Sequence, residues 1–217
     1  MAYSTRGVAR RHLSRTGRLS IRNDLLGQQP ASVRRTLAGL ATEERTFEVS
    51  ECIYGWTVNY TQMWSHIRVR VRLAPDATIT PASVAALQST WEGAIEAAWN
   101  NRRACGQGAE GACCFTFDVE WVTSGEQQVV RVIPGPARSN MGTWDDQDTG
   151  AVAAHEFGHM IGHPDEYADA ACPMRSPVAT GTIMHDNSTT FVDRLFDRLA
   201  RDLGSTVVPV PAWKVPV

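Results

Sequence analysis

Residues 153–167, AAHEFGHMIGHPDEY, constrain the fold more than any other segment of this chain. His155 and His159 are four residues apart, so on an α-helix their side chains lie about 40° apart around the axis. Apolar side chains, Phe157 among them, lie on the opposite side, which suits packing against a core. The segment therefore predicts a helix over 149–162 that is buried on one side and carries two imidazoles on the other.

Two imidazoles one helical turn apart can bind the same metal ion, and the His-Glu-x-x-His spacing is typical of zinc sites. Glu156 lies about 100° from His155 around the helix axis, beside the open position of the metal and not among its ligands. A carboxylate placed there can accept a proton from a water molecule that the metal activates. We therefore predict that His155 and His159 are zinc ligands and that Glu156 is a general base. A solvated polar helix face is the alternative explanation of the pattern.

The third ligand is sought among His163, Asp165 and Glu166. Gly162 and Pro164 end the helix directly after the motif, because glycine readily adopts positive φ and proline cannot continue a helix. His163 would share the ligand face only if the helix continued through it. A chain that reverses at Gly162 instead brings a later residue back to the metal. These considerations favour Asp165 and Glu166, and a glutamate from a distant helix is the alternative.

Hydrophobic periodicity along the chain predicts further elements. Strict alternation predicts a half-buried strand over 66–75. A helix over 80–102 is indicated by Thr80 as its cap, Pro81 at its first position and a long apolar face. Further strands are predicted at 114–122 and 128–133, and an amphipathic helix is predicted at 189–204. With the histidine-bearing helix, this order is typical of an α+β domain.

Composition predicts one globular domain preceded by an arm. The chain has 217 residues, 43% of them hydrophobic and 20% charged, which is ordinary for a globular protein. Residues 1–30 are rich in arginine and lack periodicity, and residues 31–45 are compatible with a short helix. We interpret residues 1–45 together as a weakly ordered targeting segment or pro-segment. Residues 46–217 form the predicted catalytic domain. Because the basic arm is read as solvated, no nucleic-acid partner is expected.

The five cysteines cannot all pair within the chain, because their number is odd. Cys105 and the adjacent Cys113 and Cys114 bracket a glycine-rich loop, so one disulfide is feasible there in an oxidising compartment. Free thiols in a cytoplasmic protein are the alternative.

The segment HEFGHMIGHPD resembles the metzincin zinc signature H-E-x-x-H-x-x-G-x-x-H, with Asp165 in place of the last histidine. Snapalysin-type enzymes have an aspartate at that place, and the segment is similar to theirs. TGTIMHDN, residues 180–187, resembles the metzincin Met-turn, with Met184 as its methionine. The resemblance implies an α+β, zincin/metzincin-like fold with a twisted mixed sheet, an active-site helix and a C-terminal helix.

The resemblance also implies an activity, a zinc metalloendopeptidase that hydrolyses peptide bonds with bound Zn²⁺. Its ligands would be His155, His159 and Asp165, and Glu156 would be its base. The strand at 128–133 would be the edge strand along which an extended protein or peptide substrate aligns. Asp186 stands where some family members have a metal-assisting tyrosine. Tyr167 and His185 are the remaining candidates for stabilising an oxyanion.

No apolar segment approaches the length of about 18 residues that a membrane span requires, and no apolar core follows the basic N-terminus as in a secretory signal. We therefore expect no membrane span, and either export or injection by another route or a cytoplasmic location. In the exported case the chain would be a toxin or effector, and its arm would contact a secretion apparatus.

Two other functions are compatible with the motif. In one, the metal only stabilises the fold of a binding protein, with His163, His185 or Cys172 as a fourth ligand. In the other, the enzyme cleaves the peptides of a cell wall.

Overall fold

The computed structural model describes residues 42–106, 112–188 and 190–210. Residues 1–41, which make up most of the predicted arm, lie outside the described residues. The end of that arm belongs to the folded domain, because the first strand begins at Glu43. Residues 43–45 pair with residues 60–62 of the next strand. This strand therefore begins three residues before the predicted domain boundary at residue 46.

A mixed sheet of six strands forms the centre of the domain. Its strands are β1 (Glu43–Glu51), β2 (Tyr54–Met63), β3 (His66–Pro75), β6 (Thr116–Trp121), β7 (Gln128–Ile133) and β8 (Thr143–Asp145). The order across the sheet is β1-β2-β3-β7-β8, and β6 also pairs with β3. The pairs β1–β2 and β2–β3 are antiparallel, whereas β3–β6, β3–β7 and β7–β8 are parallel. The predicted α+β class with a mixed sheet is confirmed.

Strand β3 shows the alternation that its sequence predicts. Ile67, Val69 and Val71 are fully buried in the core. Arg68 and Arg72, on the other face, form ion pairs with carboxylates. Burial of each branched side chain contributes about 1.5–3 kcal/mol relative to exposure, and a slip of one residue would exchange the two faces. This pattern therefore sets the register of the strand.

Helix α1 (Pro81–Trp99) follows β3, as predicted. Thr80 is its N-cap, and the Thr80 side chain accepts a hydrogen bond from the backbone N–H of Ser83. The helix ends at Trp99 and not at residue 102, because Asn100 adopts an extended conformation (φ −68°, ψ 136°).

Helix α2 (Gly150–Met160) carries the two histidines and packs on α1. Gly150 permits this contact, because a Cβ there would overlap the side chain of Ala94 on α1. Trp99 donates a hydrogen bond from Nε1 to the carbonyl of Ala154 over 2.8 Å. Phe157 is fully buried. These contacts hold the apolar side of α2 in the core. Among the residues that the structure describes, no helix is long and apolar enough to cross a bilayer.

The helix predicted over 189–204 is wrong in extent. The described part holds one 3-10 turn (Asp193–Leu195) and a short helix, α4 (Asp197–Arg201), with Phe196 between them (φ −119°, ψ −7°). Val192, before the turn, is extended. Phe191, Leu195, Phe196 and Leu199 are buried as predicted, and Leu203 is partly buried. A period of 3.6 residues indicates which side is buried, but it does not ensure continuous helical hydrogen bonding.

A second, antiparallel sheet contains three short strands. These are β4 (Ala104–Gly106), β5 (Cys113–Cys114) and β9 (Thr206–Val208). Of the two alternatives for Cys105, Cys113 and Cys114, a disulfide or free thiols, the structure shows free thiols. Cys52 instead bonds to Cys172, 120 residues away in sequence. The fold brings these two together, whereas the prediction considered only closeness along the chain.

Candidate metal centre

The imidazoles of His155 and His159 converge on one carboxylate oxygen. Their Nε2 atoms lie 3.0 Å and 3.2 Å from Oδ1 of Asp165. Two ligands of one tetrahedral zinc ion, each about 2.0–2.2 Å from it, lie about 3.3 Å apart. Both nitrogen–oxygen distances are close to that spacing. Two imidazoles and one carboxylate are also a donor set of catalytic zinc sites with three protein ligands, so these residues fit zinc.

The opposite nitrogen of each ring is held by a backbone carbonyl. Nδ1 of His155 lies 2.8 Å from the carbonyl oxygen of Ile183, and Nδ1 of His159 lies 2.6 Å from that of His163. A carbonyl oxygen can only accept, so each Nδ1 carries the donated proton. In the neutral ring Nε2 then presents a lone pair. This is the outer arrangement that orients histidine ligands in metal sites.

Gly162 turns the chain after α2. Its φ is +101°, and a Cβ there would lie 2.7 Å from the ring of Phe47, so both conformation and space require glycine. The backbone N–H of His163 donates to the carbonyl of Gly158 over 3.0 Å, which closes the helix end. Three residues after Gly162, Asp165 lies back at the histidines.

His163 packs in the core instead of joining the donor cluster. Its ring stacks on Trp99, with centroids 5.6 Å apart and planes 7° apart. Burial lowers the pKa of His163 to about 4, so the ring is neutral at neutral pH. Its backbone carbonyl contributes to the site through the bond to His159.

Glu166 has a different set of partners from Asp165. Its carboxylate accepts hydrogen bonds from Thr180 and Thr182 and pairs with Arg194. Burial alone would raise the pKa of Glu166, but these bonds outweigh burial and lower it. The Glu166 carboxylate therefore connects residues 163–167, the ligand loop, to the segment around residue 182. Asp165 in the same loop faces the histidines.

Glu156 lies beside the donor cluster on α2. Its Oε2 is 3.9 Å from Nε2 of His159 and has no hydrogen-bond partner within the described residues. Burial raises the pKa of this carboxyl. Glu156 groups with the two histidines within 4.8 Å, but Asp165 lies closer to both rings. Asp165 is therefore the carboxylate nearest to both imidazoles, and Glu156 lies beside the cluster.

Met184 packs beneath the histidine-bearing helix. It lies in the short helix α3 (Ile183–Asp186) and is fully buried. Its sulfur occupies the place that a side chain at Gly158 would need. The carbonyl of Met184 accepts from the backbone N–H of Glu166 over 2.7 Å. This turn therefore contacts both the helix and the ligand loop.

The charges of the cluster favour a bound cation. Burial alone would raise the pKa of Asp165, but hydrogen bonds from His155 and His159 outweigh burial and hold it well below its ordinary value. Burial alone would lower the pKa of His159, but Asp165 and Glu156 raise it overall. A proton on the His159 ring therefore competes with a metal ion for the same position.

Sequence reasoning missed two arginines near the site. Tyr167 donates from its hydroxyl to Oδ2 of Asp165 over 2.7 Å and accepts from Arg138 over 2.8 Å. Arg175 lies against the ring of Tyr167. Neither arginine belongs to the motif, and no local pattern indicates them.

His185 is held by a backbone group: its Nδ1 accepts a hydrogen bond from the backbone N–H of Gly181.

The predicted role of β7 as an edge strand is wrong. One side of β7 pairs with β3 along residues 128–132, and the other pairs with β8 along residues 131–133. Strand β8 pairs in parallel with residues 131–133 and therefore covers the edge of β7 along which an extended substrate would have aligned there.

Comparisons with known proteins find no relative. No family model, curated protein or solved structure matches the chain. The resemblance to metzincins therefore rests on the motif residues of the sequence.

Proposed function

We propose that this chain is a zinc-dependent endopeptidase of the metzincin type, similar to the snapalysin-type enzymes. Zn²⁺ would be held by His155, His159 and Asp165. One observation carries the proposal: two imidazoles with backbone-bonded Nδ1 atoms aim Nε2 at the same carboxylate oxygen, over 3.0 Å and 3.2 Å. Since neutral imidazole Nε2 and an ionised carboxylate are both acceptors, a proton or a cation is needed between them.

The chain's own residues would divide the chemistry. Bound zinc would supply a Lewis acid that activates water and polarises the scissile carbonyl. Glu156 would accept the proton of the attacking water and deliver it to the leaving amine. Its buried position supports this role, because burial raises its pKa and brings it nearer to the working pH of a general acid–base catalyst.

The decisive variant is Glu156→Gln, which removes the base and keeps the shape. We expect it to retain zinc and to lose peptide hydrolysis by about 10²–10⁴-fold. Zinc content is measured by metal analysis, and hydrolysis by mass spectrometry of a digested peptide library. Glu48→Gln is the matched control, because Glu48 is an exposed carboxylate on β1 that accepts from Thr57; it should behave as the parent.

Two outcomes would contradict the proposal. If Glu156→Gln cleaves as fast as the parent, Glu156 is not the base. If the parent holds zinc and cleaves no peptide of the library, the metal has a structural role.

The Cys52–Cys172 disulfide supports an oxidising final compartment for the protein, because disulfides persist in such compartments, and it therefore supports export.

A further inference from the structure

We infer that Arg175 is a positioning residue for the third metal ligand. It holds Tyr167, and Tyr167 in turn holds the carboxylate of Asp165. The inference rests on the proposed zinc site and deepens it, because it assigns a role to a residue outside the zinc motif.

The two oxygens of Asp165 have separate partners. Oδ2 accepts the Tyr167 hydroxyl over 2.7 Å, while Oδ1 lies 3.0 Å and 3.2 Å from the imidazoles of His155 and His159. A carboxylate bonded at one oxygen cannot rotate freely about its terminal bond. The Tyr167 hydroxyl therefore presents Oδ1 to the metal.

Arg175 fixes Tyr167 at two points. Its Nη1 donates to the backbone carbonyl of Tyr167 over 3.1 Å. Its guanidinium carbon lies 5.1 Å from the centre of the Tyr167 ring, within the range of a cation–π contact. Nη1 also lies 3.9 Å from Oδ2 of Asp165. All three contacts join Arg175 to Tyr167 or Asp165 in the ligand loop.

Arg175 is itself anchored to the β1–β2 hairpin. Its side chain is only 2% exposed, and its Nε donates to Oε2 of Glu51 over 2.7 Å. The neighbouring Cys52 forms the disulfide with Cys172. A buried guanidinium is costly unless it is paired, so the Glu51 carboxylate holds Arg175 in one place. The hairpin thus positions a ligand that is remote from it in sequence.

The tests are Arg175→Lys, Tyr167→Phe and the double variant. Outer partners of metal ligands typically contribute about 10–100-fold to affinity. We expect each single variant to weaken zinc binding by about that factor. The double variant should bind zinc no more weakly than the weaker of the two single variants, because both substitutions act through the hydrogen bond from Tyr167 to Asp165. Zinc affinity is measured by competition with a chromogenic chelator.

A second readout separates positioning from general stability. Cobalt(II) substituted for zinc reports ligand geometry in its visible absorption, and we expect this spectrum to change in both single variants. Arg72→Lys is the matched control, because Arg72 also donates from Nε to a glutamate, Glu126, over 2.8 Å. It should leave both affinity and spectrum unchanged.

If Arg175→Lys fails to fold, Glu51→Gln tests the same anchor with Arg175 in place. Zinc affinity within twofold of the parent and an unchanged cobalt spectrum, in Tyr167→Phe and in either Arg175→Lys or Glu51→Gln, would overturn the inference. Failure of the parent to bind zinc, or equal binding by His155→Ala, would instead contradict the proposed zinc site.

Discussion

Asp165 and Glu166 are neighbours in sequence with the same chemistry, yet they have different surroundings. Asp165 faces two imidazoles, whereas Glu166 faces two threonine hydroxyls and Arg194. The turn at Gly162 decides which carboxylate reaches the histidines. Sequence alone left both as candidates, because a difference of one residue in a loop cannot be resolved without its path.

The two carboxylates are therefore expected to respond differently to substitution. Asp165→Ala should lower zinc affinity by at least about 100-fold, because it removes a ligand. Glu166→Gln should keep zinc affinity within a few-fold and lower the free energy of unfolding by about 1–3 kcal/mol, because charged hydrogen bonds are lost. Calorimetric zinc titration and urea unfolding measure the two effects. Normal zinc binding by Asp165→Ala, with loss in Glu166→Ala, would move the third ligand by one residue.

At the scale of elements, α2 depends on a glycine inside the motif. Gly158 lies where a Cβ would overlap the sulfur of Met184 and approach Trp99 at 3.1 Å. Met184 is fully buried and has little room to move. The Gly158 position therefore lets the methionine turn pack against the histidine-bearing helix.

Gly158→Ala is expected to destabilise the protein, although alanine favours helices by about 1 kcal/mol over glycine. Overpacking of a close core contact costs about 1–3 kcal/mol, which exceeds that gain. The control is Gly93→Ala in the interior of α1, where a Cβ meets nothing within 4 Å; it should stabilise by about 0.5–1 kcal/mol. Urea unfolding compares the two. Equal stabilisation by both would show that Met184 does not pack against Gly158.

At the scale of the whole molecule, the Cys52–Cys172 disulfide joins parts of the fold that are distant in sequence. Replacing both residues by serine should lower the free energy of unfolding by about 5 kcal/mol, because the closed loop spans 120 positions. Cys113→Ser, at a free and partly buried thiol, should change it by less than about 1 kcal/mol. The free energies of unfolding of the parent and both variants are compared after treatment with a chelator, so that metal binding does not contribute.

Thiol labelling checks the same pairing. In the unreduced, denatured protein only Cys105, Cys113 and Cys114 should react with iodoacetamide. In the folded protein at pH 8 Cys105 should react slowly, because burial raises its pKa to about 11 and few thiolates form at that pH. Labelling of Cys52 or Cys172 without reductant would contradict the disulfide.

Local patterns determined the elements whose signals lie within one segment. The periodicity of β3, the cap of α1 and the His-Glu-x-x-His helix with its Gly162 stop were all readable from the sequence, because neighbouring side chains alone specify them. The pairing of strands and the interruption of a helix were not readable. The β1–β2 hairpin, the covering of β7 by β8 and the interrupted C-terminal helix depend on tertiary contacts.

The candidate site divides in the same way. The sequence by itself indicated that His155 and His159 lie near each other on one helix, because helix geometry brings four-residue neighbours together, and that Glu156 lies beside them. Only the tertiary structure shows that Asp165, and not Glu166, faces the two imidazoles, and that Arg175 lies against Tyr167. Those arrangements depend on a chain reversal and on a hairpin more than a hundred residues away. Contacts of that kind follow from packing of the whole domain and leave no local pattern in the sequence.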